Sequence, residues 1–542
     1  MKESQRTRKA KRPPAQEIAP QRTSLFPFFP SILQHRSTGL ALAVLYFVVL
    51  TALSFHYHKI GDYGVETDFY WSYVPEAQRI LQGTLEVQDF QGPLYPILLA
   101  GASLLNSDLF RAGTLLANLS AGVALLLIYT LFRRLLRYDL AFVGTLLVAT
   151  NTVFVQYSYS AGTDMLFNVL VLGVVVLIFK DGQRRWGNIV IAAVLAGFAY
   201  LTRYNGIVLF LAIPTALVIA NPYRQSMKER LITSGVFGAC FLITVAPWGI
   251  YSLIEKGSFF YNKNYLNIAY EMYAKGRMSW DQFWYQGPEK YTSLAQVVLK
   301  DPALFAQTVL INVVDHGVKD LGNLAGWHLG TFTLAGIVLL FREQQSAPVR
   351  SFLIIASLFF GVLLLVFYSE RFSLFLLTAY VLLALNAFSW QRLAEYRFWK
   401  RVHVGALTAG VVLVWSVATS YEFNSRNISS GPLEVLSIAK RFHSARGTPA
   451  EGTRILARKP HIAYYLGMEL VSFPVVASYD ELLTEIKKDH VSYVYFGLME
   501  AGLRPQFQSL LDPRQAPSFL RPLTYTSSPP AVLYQVILPE QR

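Results

Sequence analysis

The chain has 542 residues, 53% of them hydrophobic and only 15% charged, with a positive mean hydropathy. A soluble globule of this size cannot hide so much apolar surface, so lipid must cover the remainder. The formal net charge of +14 falls in short clusters between apolar runs rather than on one polar domain. That distribution excludes a nucleic-acid-binding module and points to membrane topology.

Residues 1–38, rich in Lys, Arg, Pro and Gln, are too polar for a signal peptide and read as a basic, disordered cytoplasmic tail. Eleven apolar runs follow, at 39–55, 112–132, 140–155, 165–179, 188–202, 206–220, 231–251, 325–341, 351–368, 372–390 and 404–420. Each approaches the roughly 20 residues that a helix needs to cross about 30 Å of hydrocarbon. Lys and Arg cluster in the tail and at 133–137, 180–185, 224–230, 342–350 and 392–401, on alternate connections. Because basic loops stay cytoplasmic, the connections 56–111, 156–164, 203–205, 252–323 and 369–371 are expected outside, with everything after residue 421.

The 56–111 and 252–323 connections are long and aromatic, which suggests amphipathic helices in the membrane interface. From residue 421, strand-like runs such as VSYVYFG and AVLYQVIL alternate with helical patterns such as YDELLTEIKK, the pattern of a small α/β domain. The expected organisation is a tail (1–38), a mainly α transmembrane bundle of about eleven spans (39–420) and an outer α/β domain (421–542). Cys240 is the lone cysteine and lies in an apolar run, which excludes an internal disulfide and a cysteine-based metal site.

Within these bounds no Asp, Glu, Lys or Arg falls in the middle of a span, unlike the ion paths of pumps and coupled transporters. No G-x-x-x-x-G-K-[ST] loop is present to bind ATP. The charged residues that flank spans on the outer side are few: Asp68 beside Glu66, Asp164, Arg203 and Arg371. Asp68 and Asp164 each have a bland reading as helix-capping carboxylates. Arg203 and Arg371 are more informative, because they lie on the side where basic residues are scarce and at very short connections. A structural carboxylate partner, Glu370 or Asp164, explains them blandly; an anion held at the outer leaflet explains both together, since guanidinium matches phosphate geometry.

A transferase outside the cytoplasm has no nucleotide sugars, so an activated sugar must arrive on lipid with phosphate as leaving group. Such a reaction needs a carboxylate to take the acceptor proton, cations to offset charge on the phosphate, and a groove for the lipid. Asp68 suits the first role and Arg203 with Arg371 the second. Asp164 is a second catalytic candidate and one that can hold a divalent metal, although no cofactor is required. Glu66, Tyr70, Gln91 and Tyr204 are candidates to line the pocket. Inverting displacement is the simpler expectation with one base and a good leaving group.

At these residues the sequence resembles the GT-C type membrane glycosyltransferases, in particular the protein O-mannosyltransferases and the bacterial aminoarabinose and lipopolysaccharide-core sugar transferases (glycosyltransferase families 39 and 83). ETDFY resembles the family's acidic motif in the first outer loop, GPLYPILLAG its Pro-rich end, and SYSAGTDMLF its second acidic motif. LTRYNG is similar to its Arg-containing turn, Ala246 to Trp248 to the end of its seventh helix, and SERFSLFLLTAYVLLA to its Arg-(Tyr/Phe) helix. The match runs in order from the first span to the tenth. Gln91 departs from it, standing where several relatives carry Glu or His, which weakens a metal site.

The resemblance implies a multi-pass protein of the cell (inner) membrane with an extracytoplasmic active site. The implied donor is a polyprenyl-phosphate-sugar lipid, and the acceptor a glycan, lipid or protein, with no nucleic acid. The outer α/β domain is assigned to acceptor recognition or partner binding. The competing readings are a flippase or polymerase of lipid-linked glycans, and a membrane scaffold or sensor.

Overall fold

The computed structural model describes residues 35, 37–179, 183–286, 288–390, 396–398 and 402–538. The expected tail, but for its last few residues, and parts of the basic connections at 180–185 and 392–401 lie outside the described residues. Helices occupy all eleven apolar runs. Among the described residues four are long and apolar enough to cross a membrane unaided: Ser37–Tyr57, Leu109–Leu135, Met227–Lys256 and Val404–Asn427.

The other helices in these runs are shorter. Asp164–Ile178 is enclosed by protein along nearly its whole length. The 140–155 run is not one straight helix but Tyr138–Ala149 and Thr152–Tyr159, bent by 62°. Asn151 makes the break, because its side chain accepts from the amides of Val153 and Phe154. An N-cap of this kind starts a new helix instead of continuing the old one. Asn151 also donates to the Leu324 carbonyl at 2.7 Å, which ties the bend to a distant segment.

Two stretches differ from the sequence expectation. The 252–323 loop contains a bent pair of helices, Leu294–Lys300 and Pro302–Leu324, at 96° to each other. Gln, Asn, Asp and His interrupt the second helix's apolar pattern, yet Leu310, Ile311 and Val314 remain exposed along it. Arg371 does not sit in a tight turn either: helix Ala347–Leu363 ends early and the chain runs irregularly to Leu376. Non-helical backbone of this length at a bundle's end is tolerated where protein buries it. Elsewhere close helix contact rests on glycine: a Cβ on Gly336 would collide with the Leu383 carbonyl, so helices Trp327–Leu340 and Leu376–Phe388 touch backbone to backbone.

The C-terminal part carries a five-stranded mixed sheet. Its strands are β1 (Arg454–Ala457), β2 (Glu469–Ser472), β3 (Tyr493–Gly497), β4 (Leu520–Ser527) and β5 (Pro530–Val536). The order is β2-β1-β3-β5-β4, with β1 parallel to both neighbours and the remaining pairs antiparallel. Side-chain alternation along each strand fills two cores. Ile455, Ala457 and Leu533 face helix Leu433–Arg446, while Leu456, Val494 and Val532 pack with Leu482 and Ile486 on the other face.

This unit is clamped to both long loops. Ile60, from the first, is buried in the core beneath Leu433–Arg446. From the second, the Asp281 carboxylate receives Arg458 at 2.7 Å and Arg504 at 2.8 Å, with all three side chains largely buried. Removing one member of a buried ionic set strands the rest and costs about 3 kcal/mol or more. Asp281→Ala is therefore expected to loosen the unit, read as faster amide exchange over residues 454–538 and a lower unfolding temperature; unchanged exchange would show that the clamp carries no stability.

Candidate active site

The four charged residues singled out by the sequence come from three distant parts of the chain and meet at one end of the bundle as two ion pairs. Arg203 ends helix Trp186–Thr202 in an extended conformation, and its guanidinium donates to the Asp164 carboxylate. Asp164 lies in the first turn of its helix, where the helix dipole favours negative charge. Arg371 donates to Asp68 Oδ2 at 2.8 Å. Neither carboxylate accepts a capping bond through its side chain, although Asp68 holds an N-cap position and Asp164 a first turn, and Arg203 meets Asp164, the structural partner that the sequence offered for it.

The two pairs are joined by Phe372. Its ring lies 5.1 Å from the guanidinium carbon of Arg203 and 5.2 Å from that of Arg371. An aromatic face between two cations offsets part of their mutual repulsion. Phe167 adds a second ring at 5.9 Å from Arg203. Two residues before Arg203 the backbone lies against Gly92 of the GPLYP segment: a Cβ there would run into the Leu201 carbonyl.

The two carboxylates are not equivalent. Asp164 is 9% exposed and committed to Arg203, whereas Asp68 is 51% exposed. Burial works to raise the Asp68 pKa, but Arg371, with Arg203 and Lys459 behind it, outweighs burial and holds it below the ordinary carboxylate value. Asp68 is thus an ionised, accessible carboxylate, and Asp164 is an anchor for the neighbouring cation. Among the described residues no group of three His, Cys, Asp or Glu side chains is placed to hold a metal. Asp164, the candidate metal ligand of the sequence, is paired here with the Arg203 guanidinium.

The lining candidates separate into different roles. Glu66 is buried and turns away from the ion pairs: its carboxylate accepts from the amides of Asp62 and Ala161 and sits 3.1 Å from His58 Nε2. The other ring nitrogen of His58 faces the Ile428 carbonyl at 3.0 Å. With an acceptor at each nitrogen, both must carry protons, which is the imidazolium form. Tyr70 is buried beneath the loop, its hydroxyl accepting from the Gly61 amide and meeting Tyr465 of the C-terminal unit at 3.2 Å. Tyr204 is buried and accepts from the Trp248 indole at 3.3 Å. Gln91 is half-buried next to Gly92.

Two participants escaped the sequence reading. Phe372 looked like one apolar residue among many. Lys459 lies in the C-terminal part, and its ammonium donates to the Tyr63 carbonyl and the Thr67 hydroxyl, both at 2.9 Å, one residue from Asp68. The basic pair Arg458–Lys459 directly after a strand was the only signal.

Residues 91–251 match the family model described as dolichyl-phosphate-mannose-protein mannosyltransferase. The fold is similar to ArnT from Cupriavidus metallidurans bound to undecaprenyl phosphate, with a TM-score of 0.57 at 13% identity over 93% of this chain and 98% of that one. It is also similar to the oligosaccharyltransferase AglB from Archaeoglobus fulgidus in complex with an inhibitory peptide and a dolichol-phosphate, with a TM-score of 0.57 at 14% identity over 86% of this chain and 70% of that one. A search of curated protein sequences found no match. The chain thus shares the fold of ArnT and AglB and, over residues 91–251, is similar to the mannosyltransferase family. Its central segment, which carries Asp164, Arg203 and Gly92, is the part that matches the mannosyltransferase family, in agreement with the resemblance drawn from the motifs.

The His58–Glu66 pair gives the site's frame a pH signature. Burial lowers the His58 pKa, but Glu66 together with the Ile428 carbonyl outweighs it and leaves the pKa above the ordinary histidine value. The stability from the charged pair is therefore complete below the ordinary value and is lost as pH rises through the elevated one. His58→Gln is expected to lower the unfolding temperature most at acidic pH, with the gap to wild type narrowing on the alkaline side. A gap that widens with pH would contradict the ionic pair.

Proposed function

We propose that the protein transfers a sugar from a polyprenyl-phosphate donor to an extracytoplasmic glycan, lipid or protein acceptor. In this reading it sits in the cell (inner) membrane, the eleven apolar runs of residues 39–420 cross it, and the ion pairs lie at its outer surface with the 421–542 domain above them. The observation that carries the reading is the convergence of Asp68–Arg371 and Asp164–Arg203 around Phe372 at the end of an apolar bundle. Support for the donor class comes from the family match and from the undecaprenyl phosphate and dolichol-phosphate bound to the structural neighbours.

In the proposed reaction Asp68 takes the proton of an acceptor hydroxyl. The freed oxygen pair attacks the anomeric carbon, and the bond from that carbon to the phosphate oxygen breaks with its electrons leaving on the phosphate. The configuration inverts. The lipid phosphate gains one negative charge, which Arg203 and Arg371 offset by bidentate contacts. Arg371 must leave Asp68 to reach a phosphate, so donor binding releases the carboxylate from its ion pair and strengthens it as a base. One cation thereby links donor capture to base activation.

Asp68→Asn is expected to lower transfer from a synthetic polyprenyl-phosphate sugar by about 10²- to 10⁴-fold, the range for loss of a general base. Arg203→Ala and Arg371→Ala are each expected to cost about 10²- to 10³-fold, as for loss of one charge-stabilising donor. Transfer and donor hydrolysis are measured separately on purified protein. Full transfer by Asp68→Asn removes it as base, and movement of the lipid without any new glycosidic bond would make the protein a flippase.

A further inference from the structure

Lys459 is carried not by the bundle but by the C-terminal unit, at the carboxyl end of β1. That strand is flanked by β2 on one side and β3 on the other, so the chain changes direction across the sheet there. The carboxyl end of such a switch strand is where open α/β sheets hold ligands. Here the two residues after the strand reach opposite ways: Arg458 goes to Asp281 in the second loop, and Lys459 goes to Tyr63 and Thr67 in the first.

Charged and titratable groups face this junction from every side. Asp68 is acted on by Arg371 from the irregular 364–375 segment, by Arg203 from the end of its helix and by Lys459, with Tyr73 beside it on its own turn. Lys459 has Arg458, Asp62 and Glu500 around it, and His461 two residues on. In the proposed reaction Arg371 and Arg203, the latter still paired with Asp164, both face the phosphate. Lys459 is then the cation left to Asp68.

We infer that Lys459 is a positioning residue of the sugar-transfer site: it pins the Tyr63–Thr67 turn that presents Asp68 and supplies the positive field that keeps Asp68 charged once Arg371 engages the donor. The inference rests on the proposed reaction. It makes the C-terminal unit part of the chemistry, in addition to any acceptor recognition.

The test is the pH dependence of binding of undecaprenyl phosphate to the purified full-length protein. Protonating Asp68 frees Arg371, so wild-type affinity rises as pH falls through the Asp68 titration, over and above the phosphate's own titration. Lys459→Met is expected to move that rise to higher pH by about half a unit or more, and Lys459→Arg to leave it in place. Asp68→Asn is expected to abolish it. A purely structural role for Lys459 would weaken binding evenly at all pH values, and an unmoved midpoint in Lys459→Met overturns the inference while leaving the proposed reaction standing. Identical profiles for wild type and Asp68→Asn, or no binding by wild type, overturn the proposed reaction and the inference with it.

Discussion

Two carboxylates and two guanidiniums at the end of an apolar helical bundle can persist only by pairing, because an isolated charge beside low-dielectric surroundings is too costly to keep. That constraint organises the structure. It brings Arg203 to Asp164 and Arg371 to Asp68 across large sequence separations, and it draws in Phe372 to lie between the cations. In the proposed reaction the pairing also sets up a competition, since a phosphate entering the site seeks the same guanidiniums that the carboxylates hold.

The competition is unequal because burial is unequal. Asp164 and Arg203 are 9% and 15% exposed, so their pair is shielded from water and from screening ions. Asp68 is 51% exposed and its partner Arg371 is 22% exposed. A partly exposed pair is weak and exchangeable, as the proposed release of Asp68 on donor binding requires. The same acid–base pairing thus serves as a fixed anchor at one position and a replaceable contact at the other.

Around this centre, buried polar ties hold the loops in register. Glu66 joins the first loop to His58, Asp62 and Ala161, and Asp281 joins the second loop to Arg458 and Arg504. The C-terminal sheet is thereby held against both loops instead of hanging from the last helix. Its two apolar cores let it stay folded, and the residues at the end of β1 place a lysine one residue from Asp68.

The sequence by itself determined the apolar runs, their helical state and the alternation of strand and helix after residue 421, because these depend on local composition and period. It also singled out Asp68, Asp164, Arg203 and Arg371, since charges at the edges of apolar spans are rare enough to stand out. It could not tell Glu66 from Asp68: both are carboxylates in one short motif, and only packing makes the first a buried tie and the second an accessible carboxylate. Nor could it show the break at Asn151, the long irregular segment carrying Arg371, or the reach of Lys459 to Thr67. Those features arise from contacts between residues far apart in the chain, and a one-dimensional pattern holds no record of which distant groups the fold will bring together.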